Sequence, residues 1–475
     1  MSQSSQTHQL GHMPMNRLFI KMAVPIILAL LVSGLYNVVD IKFVAMLNDE
    51  SALAGVQLIF PVQMLMFSIA ALIGAGAASI ISRSLGAKDF IQANKVAVMA
   101  LALVVFLGLV ISVVVYLLCN KMLVALGAPQ DGEIFHQAKD YVLPIIYGAV
   151  FMLSVGVMND LFRSEGKVQY MMVLLLVSAL SNIALDPFFM FQSESGFGLG
   201  MGVAGASWAT LCAQILATIT GIIFYLNKRT QIKIHIKYLK VEFKDIKNII
   251  LLGFPIFLTH AGVSIIIMLA NKALSDIAAD DGDSAAYIGA YGVLARVYMF
   301  CVLPSIAMMI TFQTIAGYNY GAKQFKRVHE SIVVSIKIVG IYSIGVTLLM
   351  LLAPQLVFSG FYDDQTSVEL VSKMAGIVFI GFPLAGVFLI LTAYFQSAGH
   401  ASPALIFSSA KTYAIQMPLV GALPYFMGID GVFYAYPAAD VIAIVLVSVY
   451  SVKEFSKLLK MEKQTNPEAD KVAQG

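Results

Sequence analysis

The chain has 475 residues and a net charge of only +3, yet 59% of its residues are hydrophobic and 12% are charged. Soluble domains carry roughly a quarter charged residues, so a water-soluble globular fold is excluded and lipid is the expected solvent. The near-neutral balance leaves no electrostatic footprint for nucleic acid.

Residues 1–16 are polar and lack the short apolar core and cleavage site of a secretory signal, so they are expected to form a tail ahead of a retained first helix. A membrane span needs about 20 largely apolar residues. Windows of that kind predict helices near 17–46, 55–81, 95–118, 138–162, 168–191 and 202–226. After a basic stretch they resume near 248–272, 286–313, 330–353, 368–395, 404–424 and 431–451. The expected fold is an all-α membrane protein of about twelve helices in two six-helix lobes. The predicted parts are an N-lobe over 17–227, a linker over 228–247, a C-lobe over 248–452 and a tail over 453–475. Ile232, Ile234 and Ile236 alternate with Lys233, His235 and Lys237, which reads as a short strand or as the approach to an interfacial helix.

Lys and Arg set the orientation. One set of loops holds Arg83, Lys88, Lys95, Arg163, Lys167, Lys323, Lys326 and Arg327. The linker adds Lys228, Arg229, Lys233, Lys237, Lys240, Lys244 and Lys247, and the tail Lys453, Lys457, Lys460, Lys463 and Lys471. The opposite loops hold little beyond Lys121 and the acidic group Asp276, Asp280, Asp281 and Asp283. A multi-pass inner-membrane protein with both termini cytoplasmic is expected.

The sequence repeats itself. Pro25 is echoed by Pro255, SLGAKDF around Lys88 by NYGAKQF around Lys323, and Arg163-Ser-Glu-Gly166 by Gln396-Ser-Ala-Gly399. Leu185-Asp186-Pro187 is matched by Gln416-Met417-Pro418, and Gly202-Val-Ala-Gly205 by Gly428-Ile-Asp-Gly431. Matches in the same order indicate a duplication, and halves with an even number of spans form a parallel repeat, an arrangement used by secondary transporters.

Ionised groups in hydrocarbon cost several kcal/mol and are functional candidates. Asp40 and Asp186 each lie roughly 10 Å below the expected outer surface, at about 1.5 Å per residue. Asn182 is one turn before Asp186 on the same face, and Thr210 reaches the same depth. Two carboxylates in a low-dielectric pocket share a proton or hold a cation, so these four residues are the predicted coupling site for H+ or Na+. The structural alternative pairs Asp40 with Lys42 and makes Asp186 a helix-end cap. The second half has Ala270 and Met417 opposite the two acids, together with His260, Lys337, Lys411 and Asp440, of which Lys411 and Asp440 are expected to neutralise each other. Pro25 and Pro255 are candidate hinges. Tyr36, Gln63 and Met64 are candidate cleft residues for a small-molecule cargo.

Enzyme signals are weak. Gly200, Gly202 and Gly205 fit a dinucleotide pattern but follow a helix rather than a strand. There is no Walker A lysine loop, HExxH or GxSxG. Cys119, Cys212 and Cys301 are too scattered for a disulfide framework or zinc site. No cofactor beyond a coupling ion is expected.

The six-plus-six repeat, the SRSLGAKD loop and the LDP motif resemble the multidrug and toxic compound extrusion (MATE) transporters from about Arg17 to Lys453. Within them the chain looks like the prokaryotic branch with an aspartate late in helix 1. The resemblance implies that Asp40, Asn182, Asp186 and Thr210 form a first-lobe cation site. It also implies rocker-like antiport of cationic amphipathic drugs against H+ or Na+. A second-lobe acidic site of the other prokaryotic branch is not expected, because residues 248–272 hold no acid. A monomer is expected. The alternatives are a flippase for lipid-linked precursors, which would need several Arg or Lys in its cleft, and a membrane-embedded enzyme.

Overall fold

Runs of Leu, Ile, Val and Ala that cannot be hydrated must satisfy their backbone internally, and helices are the local way to do so. The computed structural model describes residues 5–47, 49–126, 128, 132–192, 198–227, 230–239, 242–278, 284–362 and 364–465, and it is nearly all helix. A short helix α1 (Ser5–His12) precedes α2 (Met15–Ala45), α3 (Glu50–Gly86) and α4 (Phe90–Ala125). Then come α5 (Glu133–Tyr147), α6 (Ala149–Ser164), α7 (Val168–Met190) and α8 (Val203–Leu226). The second half holds α9 (Phe243–Ala278), α10 (Ser284–Gly321), α11 (Phe325–Leu352), the single turn α12 (Gln355–Phe358), α13 (Gln365–Val378) and α14 (Phe382–Ser397). It ends with α15 (Ala401–Ser409), α16 (Met417–Met427) and α17 (Ile429–Thr465). Among the described residues, ten of these stretches are long and apolar enough to cross a membrane, and the bent pair α5 and α6 makes an eleventh.

Most helices outrun their apolar windows, because polar caps extend them past the hydrocarbon. Asp89, for example, caps α4 by accepting from the Gln92 amide at 3.0 Å. Three predicted spans are not single helices, the window 368–395 being α13 and α14 with a 3-10 turn, Phe379–Gly381, between them. The window 138–162 is α5 and α6, bent by 55°. Pro144 cannot donate a backbone bond there, and Gly148 lets the Leu211 side chain in, 2.7 Å from where a Cβ would lie. The window 404–424 is interrupted by a π-helix, Ala410–Gln416, just before Pro418, whose ring and missing N–H disturb the regular ladder.

The predicted tail and linker are structured. Within the predicted tail, the Leu10 carbonyl accepts from Asn319 at 3.0 Å and from Arg327 at 3.1 Å, and the Met13 carbonyl from Arg327 at 2.9 Å. The alternation 232–237 forms no strand; it ends in a 3-10 turn, Ile236–Tyr238, and α9 begins at Phe243, inside the expected linker. At the far end α17 continues to Thr465. Lys228, Arg229, Lys240, Asp280, Asp281, Asp283 and Lys471 lie outside the described residues.

The chain divides into two compact units. One comprises Met1–His8 with Val24–Gly253, the other Gln9–Ala23 with Phe254–Gly475. The lead helix of each half, α2 and α9, therefore changes unit one residue before its proline, Pro25 or Pro255. Both helices run on through the proline. In the first unit, α3 and the start of α9 touch backbone to backbone: a Cβ on Gly76 would lie 2.0 Å from the Ile249 carbonyl oxygen, and one on Gly253 would lie 1.7 Å from that of Leu72. The core of the second unit gathers Phe379, Phe382, Phe433, Tyr291 and Leu294.

A buried polar clasp fixes the linker to the first unit. Lys95 pairs with Glu242 at 2.5 Å and Asp245 at 2.9 Å, and the Lys233 amide donates to Asn94 at 2.7 Å. The amides of Gln231 and Ile232 donate to the Glu165 carboxylate at 2.6 and 3.2 Å. Burial pushes the Glu165 carboxyl up to about 8, against the opposing pull of those two donors and of Lys167. A carboxyl raised in the folded state holds its proton while the unfolded chain has lost its own. The stability it contributes is complete below about 4.5 and is lost as pH climbs to about 8. The Tm of detergent-solubilised protein should therefore fall across that interval, and Glu165→Gln should flatten the slope; an unchanged slope in the variant would exclude this role.

Candidate functional site

Asn182 and Asp186 stand one turn apart on α7, and both are sealed from solvent, at 2% and 0% exposure. The Asn182 amide donates to Asp186 at 3.1 Å and to the Thr210 hydroxyl on α8 at 3.2 Å. The two helices come close enough for this because Gly205 has no side chain: a Cβ there would lie 2.6 Å from the Phe189 backbone carbonyl carbon. Further along the same seam Gln214 of α8 donates to Ser178 of α7 at 3.1 Å. The predicted depth match between Asn182, Asp186 and Thr210 is a hydrogen-bonded cluster.

Asp40 reaches this cluster from α2. Its carboxylate interacts electrostatically with Asp186 and with Tyr141 of α5. An edge-to-face pair, Phe43 with Phe191 at 6.5 Å, ties α2 to the end of α7 beside it. Lys42 points to the exposed surface, and no ion pair joins it to Asp40 among the described residues. Oδ1 of Asp40, Oδ2 of Asp186 and Oδ1 of Asn182 are buried acceptors without a hydrogen-bond partner among the described residues. Buried acceptors are normally satisfied, and leaving one bare costs about 1–3 kcal/mol. Oxygen ligands of this kind, two of them carboxylates, suit a proton or a hard monovalent cation such as Na+.

Among the cleft candidates, Gln63 donates to the Tyr141 hydroxyl at 3.3 Å, and Tyr36 lies within electrostatic range of the same phenol. Met64 is half-buried and its carbonyl accepts from Ser68 at 2.7 Å; no described contact joins it to the carboxylates. Sequence reasoning missed Tyr141, Gln214 and Ser178. Gln214 carried a usable signal, since it follows Thr210 by one turn on the same face. Tyr141 carried none, because its side chain is brought in by the fold of α5 against α3.

The second unit holds no carboxylate pair at the corresponding place. Lys411 and Asp440 form an ion pair at 2.6 Å. His260 and Lys337 are exposed along their helices.

The chain matches the sequence model of the MatE family over residues 25–188 and again over 255–420, so each match begins at a lead-helix proline. It is 24% identical over 435 residues to the multidrug export protein MepA of Staphylococcus aureus (strain NCTC 8325 / PS 47), covering 90% of this chain and 91% of the relative. To MepA of Staphylococcus haemolyticus (strain JCSC1435) it is 24% identical over 433 residues, covering 91% and 92%. Its fold superposes with a TM-score of 0.87, at 24% identity, on an outward-facing multidrug resistance MATE family transporter of the MOP superfamily, covering 97% of this chain and all of the other. It superposes equally well on a MATE crystal structure in a bent conformation, with 96% and 99% covered. With two repeats matched and the full two-lobe fold shared, the chain belongs to the MatE family of multi-pass membrane transporters.

Proposed function

We infer that this transporter is a secondary active antiporter that exports cationic amphipathic small molecules in exchange for H+ or Na+ by alternating access. The observation that carries the reading is the set of bare buried oxygens on Asp40, Asp186 and Asn182, gathered in one unit and bridged to Thr210. A site of that composition gains from taking up a cation and loses it when opened to a dilute side. The multidrug export named for the MepA relatives supports a small-molecule cargo. Competition supports a cationic cargo: a positive drug and a coupling cation draw on the same negative field, so loading one favours release of the other.

The drive is adequate. A proton falling through 100 mV yields about 2.3 kcal/mol and each pH unit adds about 1.4, enough for a gradient on the order of several hundredfold in a neutral cargo. The skew of Arg83, Lys88, Arg163, Lys167, Lys323 and Lys326 to one set of helix ends supports an inner-membrane protein with cytoplasmic termini. The lipid-precursor reading is weaker, since it needs several uncompensated interior cations, and Lys411 carries its own counter-charge in Asp440.

Ethidium efflux from proteoliposomes, with pH and sodium gradients imposed separately, tests the inference. Efflux should follow one of the two gradients. Efflux that ignores both would overturn ion coupling.

A further inference from the structure

The duplication gives the second lobe a polar site in the same register as the first, with different chemistry. Aligning Pro187 with Pro418 carries Ser178 onto Ser409 and Asn182 onto Tyr413; aligning Gly202 with Gly428 carries Thr210 onto Tyr436 and Gln214 onto Asp440. In the first lobe this seam is the chain of bonds Ser178–Gln214 and Asn182–Thr210. In the second it is Lys411 and Asp440, at 2.6 Å, inside a wall of aromatic rings.

The surroundings are those that recognise an organic ammonium ion. The Lys411 ammonium lies over the Phe388 ring, 4.8 Å from its centre, while touching the Asp440 carboxylate. Tyr436 shares a 2.6 Å hydroxyl bond with Tyr291 and stacks edge-on to Tyr298 at 6.3 Å, and Tyr298 lies within electrostatic range of Asp440. Gly381, at the break between α13 and α14, leaves room for the carboxylate: a Cβ there would sit 2.6 Å from Asp440 Oδ2. A carboxylate faced by π-surfaces is how quaternary and tertiary ammonium groups are bound.

The lysine is placed to leave. Its side chain is 18% exposed against 5% for Asp440, so the pair is open on the lysine side. It stands on the π-helix Ala410–Gln416, a geometry that recurs at functional sites. As a stability device a buried ion pair is poor, because desolvation offsets the attraction.

We propose that Asp440, with Phe388, Tyr298 and Tyr436 around it, is a second-lobe site for the ammonium head of an organic cation, and that the Lys411 ammonium is the built-in occupant such a cation displaces. The site rests on the reading of cationic export and gives it a cargo contact. It would act through α9, since Tyr413 on the same π-helix donates to the Leu258 carbonyl at 2.8 Å, and Thr412 packs where a Cβ on Gly262 would be.

The test is equilibrium binding of tetraphenylphosphonium to purified protein. Lys411→Met removes the competing ammonium and should tighten binding at least tenfold. Lys411→Met with Asp440→Asn should abolish that gain and bind at least tenfold more weakly than wild type. The double variant buries no charge, so it supplies the comparison by itself should the single variant fail to fold. Equal affinity in wild type and double variant, or a gain in Lys411→Met that persists without Asp440, would overturn the site. Ethidium efflux by the wild type is measured alongside: absent efflux with the binding pattern intact removes the export reading and leaves the site.

Discussion

Asp186→Asn and Asp40→Asn should each collapse the steady-state gradient of a cationic drug, about tenfold per pH unit in one-for-one exchange, towards unity, at unchanged expression. Asparagine keeps the shape of aspartate and can still accept from Asn182, so the seam between α7 and α8 should survive. What is lost is the negative charge and the ability to carry a proton or ligate a cation. Asp186 is fully buried, so no solvent dipole can replace that charge. Efflux of ethidium under an imposed gradient checks the effect, with folding followed by thermal denaturation. Near-normal efflux in both variants would retire the coupling assignment, because a merely structural carboxylate tolerates its amide.

Gly253→Val should destabilise the protein by about 3 kcal/mol, at the upper end of ordinary overpacking. The valine Cβ would be pushed to within 1.7 Å of a backbone oxygen on Leu72, and a helix backbone cannot swing aside as a side-chain tip can. Small residues let membrane helices touch, and van der Waals contact there is a main source of cohesion. The same crossing holds Gly76 against Ile249, so α3 and the start of α9 would have to separate along their length. Thermal denaturation in detergent should show a Tm lower by about 3 °C. A variant as stable as wild type would mean that this crossing opens freely.

Much of the architecture could be read from composition. Apolar windows located the ten long apolar helices and the bent pair α5 and α6, and the echoes of Pro25, Lys88, Pro187 and Gly202 exposed the duplication. The site was readable to the extent that one helix carries it: Asn182 and Asp186 follow from helical spacing, and Thr210 from equal depth. Contacts between elements were not readable. Nothing local marks Tyr141 as the partner of Gln63, or Glu165 as the acceptor for amides of Gln231 and Ile232. The bend at Gly148 and the π-helix before Pro418 were missed for a related reason, since hydropathy does not register where a ladder breaks. The carbonyls of Leu10 and Met13 are likewise unmarked in the sequence as acceptors for Asn319 and Arg327.

The duplicated GAK turns carry a cost. Lys88 and Lys323 sit at φ of 60° and 58°, where a side chain is strained by about 1 kcal/mol and glycine is not. Both copies of the turn thus hold a cation on a backbone suited to a residue with no side chain. An ammonium beside anionic headgroups is worth about 1 kcal/mol, comparable to the strain. Each turn thus keeps a cation in place at the expense of backbone ease.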